Sequence, residues 1–324
     1  MYNPPFSISS KAINLIAKIS AQIERYAIRM EQSDSLKLRK ANRIKTIHSS
    51  LAIEGNNLSE GEVMAILDGK NVIAPQKEIL EVRNAIKTYE LYPTLNPFSV
   101  EDMLKAHLTM MSGLVDEAGM FRRRGVGVFD GTTAVHIAPP AERVKDLMND
   151  LFIWLENSED HLLIRSCVFH YEFEFIHPFA DGNGRIGRLW QSLILGKLNP
   201  LFEHLPVENM VYANQQAYYD AITRSSAKGD SQPFIDFMLQ EILNALEDRK
   251  GHTVDEIGLA NSLSENEIKI LGLIRSDRHM SAKRLAEEIG ASPRQIERIL
   301  AGLKERSIIR RVGANRNGYW EVIG

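Results

Sequence analysis

Apolar residues recur at three- and four-residue intervals along most of the chain, the spacing of helices that pack on one face. In KAINLIAKISAQIERY they fall at Ile13, Ile16, Ile19, Ile23 and Tyr26, which predicts a helix burying that stripe. A second helix is expected from about Leu36 to Ile53, with Gly55 as its stop. Ser59 followed three residues later by Glu62 is a capping box that opens a third. KEILEVRNAIKTYELY is a fourth amphipathic stretch. Pro93 and Pro97 bracket a break, so a boundary is placed near residue 95.

SVEDMLKAHLTMMSGL returns to helical spacing. The period then changes. GVGVFDGTTAVHIAPP holds two short β-rich runs on either side of Asp130-Gly131, which predicts a hairpin over Val126 to Ile137. EDHLLIRSCVFHYEFEFI is helical again, with Ile164, Cys167, Val168, Tyr171 and Phe175 on one face. That helix leads into HPFADGNGRIGR, and RLWQSLILGKL leaves it as another, so the stretch between is a helix–loop–helix corner. After Lys250-Gly251 the pattern loosens, and three further helices follow. Ser281 and Ser292 are the expected N-caps and Gly290 an expected stop. Two strands around a Gly/Asn turn close the chain, which makes residues 264–324 a winged helix-turn-helix. The expected organisation is mainly α: an N-terminal helical region over 1–95, a core over 96–245 with a β-hairpin, a linker over 246–263, and the winged helix.

Composition narrows the class without changing the layout. The 324 residues are 44% hydrophobic and 25% charged, values of an ordinary globular chain. MYNPPFSISS lacks the basic region and apolar run of a secretory signal, and no apolar stretch nears the roughly 18 residues of a membrane span. Cys167 is the single cysteine, which excludes an intrachain disulfide and a cysteine-rich zinc module and fits a reducing cytoplasm. Charge is uneven. Residues 264–324 carry 12 basic and 8 acidic groups, a net of +4, which leaves −7 for the rest of a chain whose total is −3.

The corner carries the candidate chemistry. Asp181-Gly182-Asn183-Gly184 is a glycine-rich loop entering a helix, where backbone N–H groups converge and the helix dipole is positive, so it attracts an anion such as phosphate. Arg185 and Arg188 follow at i,i+3, and two guanidiniums suit a polyphosphate. Asp181 fits this company once a Mg²⁺ ion bridges it to phosphate oxygens. His177, just before the loop, is placed to take a proton from an attacking hydroxyl. Each residue alone has an ordinary explanation: a turn, a structural histidine, arginines paired with carboxylates. No packing need calls for all of them within one turn. Together they describe a nucleotide–Mg²⁺ complex beside a general base.

HPFADGNGRIGR resembles the Fic-domain signature, His-x-Phe-x-Asp/Glu-Gly-Asn-Gly-Arg-x-x-Arg, at every defined position. The resemblance covers roughly residues 96–245. Most members of that family transfer AMP from ATP to a Ser, Thr or Tyr hydroxyl of a protein. The resemblance implies that His177 is the general base, that Asp181 holds Mg²⁺, and that the Gly182–Gly184 amides bind phosphates. It gives Asn183 to the α-phosphate, Arg185 and Arg188 to the β- and γ-phosphates, and Phe179 a buried anchoring role. GMFRRR, Gly119 to Arg124, is similar to the segment that precedes the family's target-docking flap. The flap then falls on Val126, Gly127, Val128 and Phe129, where an edge strand can pair with an extended target segment. QQAYYDAI places Tyr218 and Tyr219 where the family contacts base or ribose, although tyrosines at helical spacing also serve as core.

SLAIEG, Ser50 to Gly55, by itself reads as a Ser–Glu pair at i,i+4 before a helix stop. It also resembles the family's inhibitory motif, Ser/Thr-x-x-x-Glu-Gly/Asn, which implies that Glu54 reaches Arg188 and restrains the enzyme from an N-terminal helix. In the tail, Arg294, Gln295 and Arg298 lie near the start of the expected recognition helix, with docking onto protein as the alternative to DNA. The expectation is therefore a cytoplasmic, Mg²⁺-dependent protein adenylyltransferase that acts on a protein hydroxyl, itself included, and is autoinhibited by Glu54. The alternatives are removal of AMP by the same site, or a DNA-binding regulator whose Fic core senses nucleotide. DNA, through residues 264–324, and a second copy of the chain are further candidate partners. A membrane is not.

Overall fold

The computed structural model describes residues 2–32, 35–125, 127–130, 133–205, 207–247, 265–278, 280–305, 309–312 and 319–322. The chain divides into two compact units, Met1–Arg249 and Lys250–Gly324. Among the described residues no helix is long and apolar enough to cross a membrane.

The first unit is helical. Its elements run α1 (Ser10–Gln32), α2 (Ser35–Ile53), α3 (Glu60–Leu67), α4 (Gln76–Leu91), α5 (Val100–Met111), the strands β1 (Gly127–Asp130) and β2 (Thr133–Ile137), then α6 (Ala141–Asn157), α7 (Leu162–Ile176), α8 (Asn183–Leu198), α9 (Val207–Ala213), α10 (Gln215–Lys228) and α11 (Gln232–Glu247). The capping box is present: the Ser59 hydroxyl accepts from the Glu62 N–H, and the Glu62 carboxylate accepts from the Ser59 N–H. Helix α2 ends at Ile53, and Gly55 follows at φ +87°. The break near residue 95 is a short 3-10 turn over Tyr92–Thr94, and α4 packs against α5 across it.

Helices α7 and α8 pack against each other at the centre. Both are buried nearly all round, including His170, Gln191, Arg185 and Arg188. A central helix of this kind has no polar face, which is why the one-face reading of α7 fails at its end: Phe175 is 38% exposed, while Phe169 and Phe173, outside the expected stripe, are fully buried. Helix α1 corrects the expectation in a second way. Its buried line is Ala12, Leu15, Ile19 and Ile23, turned toward α11, and Ile13 is 60% exposed. The small Ala12 lets the neighbouring helix approach, and an apolar count that favours isoleucines misses that side.

The hairpin is present as an antiparallel pair, Gly127↔Ile137 and Val128↔His136, with a bulge between Val128 and Phe129. Val126 lies outside the described residues, as do the turn at 131–132 and most of the expected linker, from residue 248 onward.

The second unit has three helices, α12 (Glu265–Ser276), α13 (Ala282–Ile289) and α14 (Pro293–Glu305), then β3 (Ile309–Val312) paired antiparallel with β4 (Tyr319–Val322). Its own core runs through Ile270, Ile274, Leu285, Ile296, Leu303 and Ile309. Ser281 caps α13, Gly290 ends it at φ +73°, and the Gln295 N–H donates to the Ser292 hydroxyl.

Candidate active site

The corner between α7 and α8 begins with a strained residue. His177 is the C-cap of α7 at φ +51°, ψ +62°, the one non-glycine with positive φ among the described residues. Left-handed backbone costs a β-substituted residue of the order of 1–3 kcal/mol and persists only where the surroundings enforce it. Here Arg122 enforces it. Its side chain is buried and donates to four carbonyls: His177 at 2.7 Å, Pro139 at 2.5 Å, Arg124 at 2.9 Å and Ile176 at 3.2 Å. The Arg122 N–H also donates to the Pro178 carbonyl at 2.9 Å. The backbone that carries the half-buried His177 side chain is thereby held at the start of the loop.

The loop is closed from within. The Asn183 side chain accepts from the Phe179 N–H and donates to the Phe179 carbonyl, both at 2.9 Å. Phe179 is fully buried and stacks on His107, with ring centroids 3.7 Å apart and planes within 5°. His107 accepts from the Gly119 N–H at Nδ1, so its Nε2–H donates to the Asp181 carbonyl at 3.0 Å. Burial pushes the His107 pKa down to about 4, so the ring is neutral at pH 7 and this tautomer holds. Gly182 then takes φ +86°, and a Cβ there would lie 2.7 Å from Met111 Sδ. Gly182→Ala is expected to cost about 1–3 kcal/mol, from backbone strain with some displacement of Met111. Denaturant titration of the two proteins measures it.

Helix α8 begins here, and its first intrahelical bond runs from the Ile186 N–H to the Gly182 carbonyl. The N–H groups of Asn183, Gly184 and Arg185 come before it and form the anion-attracting end. Arg185 and Arg188 are both 3% exposed. Arg185 Nη2 donates to Asp181 Oδ1 at 3.0 Å, and the same oxygen accepts from the Gly182 N–H at 2.6 Å. Arg185 Nε is buried with no hydrogen-bond partner among the described residues. An orphaned guanidinium donor at a helix N-terminus is a place for a ligand oxygen.

Arg188 is occupied. Its Nη2 donates to Glu54 Oε1 at 2.9 Å and to the Ser50 carbonyl at 2.8 Å, and its Nε to the Ser50 hydroxyl at 3.3 Å. Burial works against this cation, and Glu54, with Tyr218 and Glu174, more than offsets it, so its pKa ends above the ordinary value. Glu54 lies directly over the loop: a Cβ on Gly184 would be 2.5 Å from Glu54 Oε1 and 2.8 Å from Arg188 Nη1. Glu54 itself belongs to the turn after α2, and α2 is tied down by Ser49 Oγ donating to Asn209 Oδ1 at 2.6 Å.

Residues 97–195 match the Fic/DOC family. A crystal structure of a Fic family protein from Desulfovibrio desulfuricans G20 is 39% identical, covers 100% of this chain and 99% of its own, and superposes with a TM-score of 0.74. The chain belongs to the Fic/DOC family. Among curated relatives, protein adenylyltransferase fic-1 of Caenorhabditis briggsae is 30% identical over 253 residues, 71% of this chain and 47% of its own length. Protein adenylyltransferase fic-1 of Caenorhabditis elegans is 32% identical over 59% of this chain and 38% of its own. The chain thus spans less than half the length of these curated relatives.

The Fic corner brings together His177, Asp181, Gly182, Asn183, Gly184, Arg185 and Arg188, and sets Ser50 and Glu54 against them. It treats the two tyrosines differently. Tyr218 is 3% exposed, its hydroxyl bonded to His170 Nε2 at 3.0 Å and its ring packed among Phe234 and Phe237. Tyr219 is 45% exposed. Of the flap residues, Gly127, Val128 and Phe129 lie on β1. In the second unit Arg294, Gln295 and Arg298 are exposed on α14. His107 and Met111, which shape the loop, escaped the sequence reading, as did the bonding role of Arg122, whose segment GMFRRR is tied there only to the flap. Glu174 did too. This carboxyl on α7 is pushed up to about 7 by burial, with Arg188 pulling it down and Glu54 pushing it further up.

Proposed function

We propose that this Fic protein transfers AMP from ATP to the hydroxyl of a protein side chain, with Glu54 holding the site in a resting state. The observation that carries the reading is the juxtaposition of a histidine locked in left-handed backbone with an anion-binding helix start whose two arginines are buried. The target hydroxyl oxygen attacks the α-phosphorus of ATP. A His177 ring nitrogen takes the hydroxyl proton, the bond from the α-phosphorus to the bridging oxygen breaks, and pyrophosphate leaves. The amides at the start of α8 bind phosphate oxygens, and Arg185 and Arg188 hold the β- and γ-phosphates. Asn183 acts through the loop: its side chain, bonded to the Phe179 backbone, keeps that amide cradle in shape. We assign contact with base or ribose to Tyr219, because the Tyr218 hydroxyl is committed to His170. The β1 edge is the surface against which an extended target segment would pair.

Asp181 fits a Mg²⁺ ion that arrives with the nucleotide. Its side chain is 51% exposed, and among the described residues no group of three or more His, Cys, Asp or Glu is arranged to hold a metal by itself. One carboxylate plus phosphate oxygens is the usual Mg²⁺ set. The ion would supply charge neutralisation at the phosphates. Asp181 would turn toward it, giving up Arg185 and the Gly182 N–H to the nucleotide. In a Glu54→Gly background, Asp181→Ala is expected to remove the preference for MgATP over ATP in chelator. Calorimetry of the two proteins, each with Mg²⁺ and with chelator, measures this. An undiminished preference in the variant would rule out the metal role.

The reading as a whole is tested with labelled ATP and Mg²⁺. Protein should retain label from the α-phosphate and none from the γ-phosphate. Retention of γ-label would mean phosphoryl transfer instead.

A further inference from the structure

Glu81 serves two neighbours at once. It lies on α4 with its side chain 13% exposed. Oε2 accepts from Asn56 Nδ2 at 2.8 Å. Oε1 faces Arg185 Nη1 at 3.9 Å, with the mostly exposed Lys77 ammonium 4.0 Å away. Asn56 is buried and follows Glu54 by two residues. Its amide also donates to the Glu78 carbonyl at 3.2 Å, and its Oδ1 accepts from the Leu58 N–H at 3.1 Å. The Asn57 N–H donates to Glu78 Oε2 at 2.9 Å. The turn that carries Glu54 is therefore fastened to α4 by a carboxylate that also faces the second arginine of the corner. In this state both arginines have carboxylate neighbours, Glu54 on Arg188, and Asp181 and Glu81 on Arg185. The packing of α4 does not need Glu81, since it runs through Ile79, Val82 and Ala85.

We propose that Glu81 is a positioning residue that restrains both arginines: through Asn56 it keeps Glu54 on Arg188, and directly it restrains Arg185. The proposal rests on the reading of Glu54 as an inhibitor. The bond from Asn56 to Glu81 ends on a charged acceptor in a largely buried place, the kind that holds a turn firmly. A phosphate that draws Arg185 toward itself takes it from Glu81, and a turn that loosens from Glu81 frees Glu54. Both restraints oppose nucleotide binding, since each keeps an arginine beside a carboxylate that phosphate must displace.

The test is equilibrium binding of α,β-methylene ATP with Mg²⁺, a nucleotide that cannot be cleaved at the bond transfer breaks, to the full chain. The variants are Asn56→Ala, Asn56→Asp and Glu81→Gln, each with Glu54 present and in Glu54→Gly. Asn56→Ala should tighten binding about five- to tenfold with Glu54 present, the lower range of coupling between sites, and give no further gain in Glu54→Gly. Asn56→Asp keeps the size and sets a second carboxylate against Glu81, so it should release Glu54 at least as far, and it decides the matter if the alanine variant is poorly folded. Glu81→Gln keeps an acceptor for Asn56 but removes the charge facing Arg185, so a smaller gain should appear in both backgrounds. If both Asn56 variants bind no better than the parent while Glu54→Gly does, or if they gain equally in both backgrounds, the Asn56 link does not act on Glu54. If Glu81→Gln is unchanged in both, it does not act on Arg185. If Glu54→Gly itself binds no better, Glu54 does not oppose nucleotide binding and the proposed action through Asn56 has failed, while the effect of Glu54 on transfer is read separately from the rates. Because the readout is binding, the outcome stands whether or not any variant transfers AMP.

Discussion

His177→Ala, made in the Glu54→Gly background, is expected to slow AMP transfer by about 10²–10⁴-fold, the usual loss when a general base is removed. Affinity for MgATP should stay nearly intact. The separation follows from position: the imidazole is on the C-cap residue just after α7, outside the amides and guanidiniums at the start of α8. Damage to the fold should be small. Alanine at φ +51° carries the same kind of backbone strain as histidine, and the bonds that impose that backbone, from Arg122 to the His177 and Ile176 carbonyls, end on main-chain atoms that the substitution keeps. Turnover and nucleotide binding measured on the same preparation give the comparison. A variant with undiminished turnover would remove His177 from the chemistry.

Glu54→Gly is expected to raise AMP transfer by tens-fold or less. Glu54 occupies the guanidinium that should hold the γ-phosphate, and its carboxylate lies over the Gly184 backbone, at the helix start that should receive phosphate. Negative charge there either excludes ATP or leaves its α-phosphorus out of line with the attacking oxygen, and an error near 1 Å can cost about 10²-fold. If the paired state is favoured by about 2 kcal/mol, about 3% of molecules are competent at any moment, which sets the ceiling on the gain. Arg188→Ala also breaks the pair, but it removes the phosphate ligand and so should not activate. Initial rates of auto-modification for the three proteins distinguish a freed site from a damaged one. Activation by Arg188→Ala as large as that by Glu54→Gly would show that Arg188 holds no phosphate.

The corner was legible in the sequence because its chemistry is local. Twelve consecutive residues carry the histidine, the carboxylate, the glycines and both arginines, and the cap at Ser59 with Glu62 is local in the same way. What escaped is what the chain assembles from a distance. Arg122 reaches His177 across 55 residues, His107 reaches Asp181 across 74, and Glu81 meets Asn56 across 25. His107 and Glu81 sit at unremarked positions of helices, Arg122 lies in a segment tied only to the flap, and no periodicity marks what any of them holds. The pair of Glu54 with Arg188, 134 residues apart, was expected only because a short motif resembled one already known in Fic proteins. The two tyrosines show the limit of spacing: adjacent residues of one helix point about 100° apart, so one enters the core and the other half-faces solvent.

The most direct measurement compares label retained from α-labelled ATP by the parent chain, by Glu54→Gly, and by Glu54→Gly with His177→Ala, under the same Mg²⁺ and over the same times. The account predicts weak labelling of the parent, labelling tens-fold stronger or less in the single variant, and none above background in the double variant. Strong labelling that survives in the double variant would contradict the assignment of His177, and a single variant no more active than the parent would contradict the assignment of Glu54.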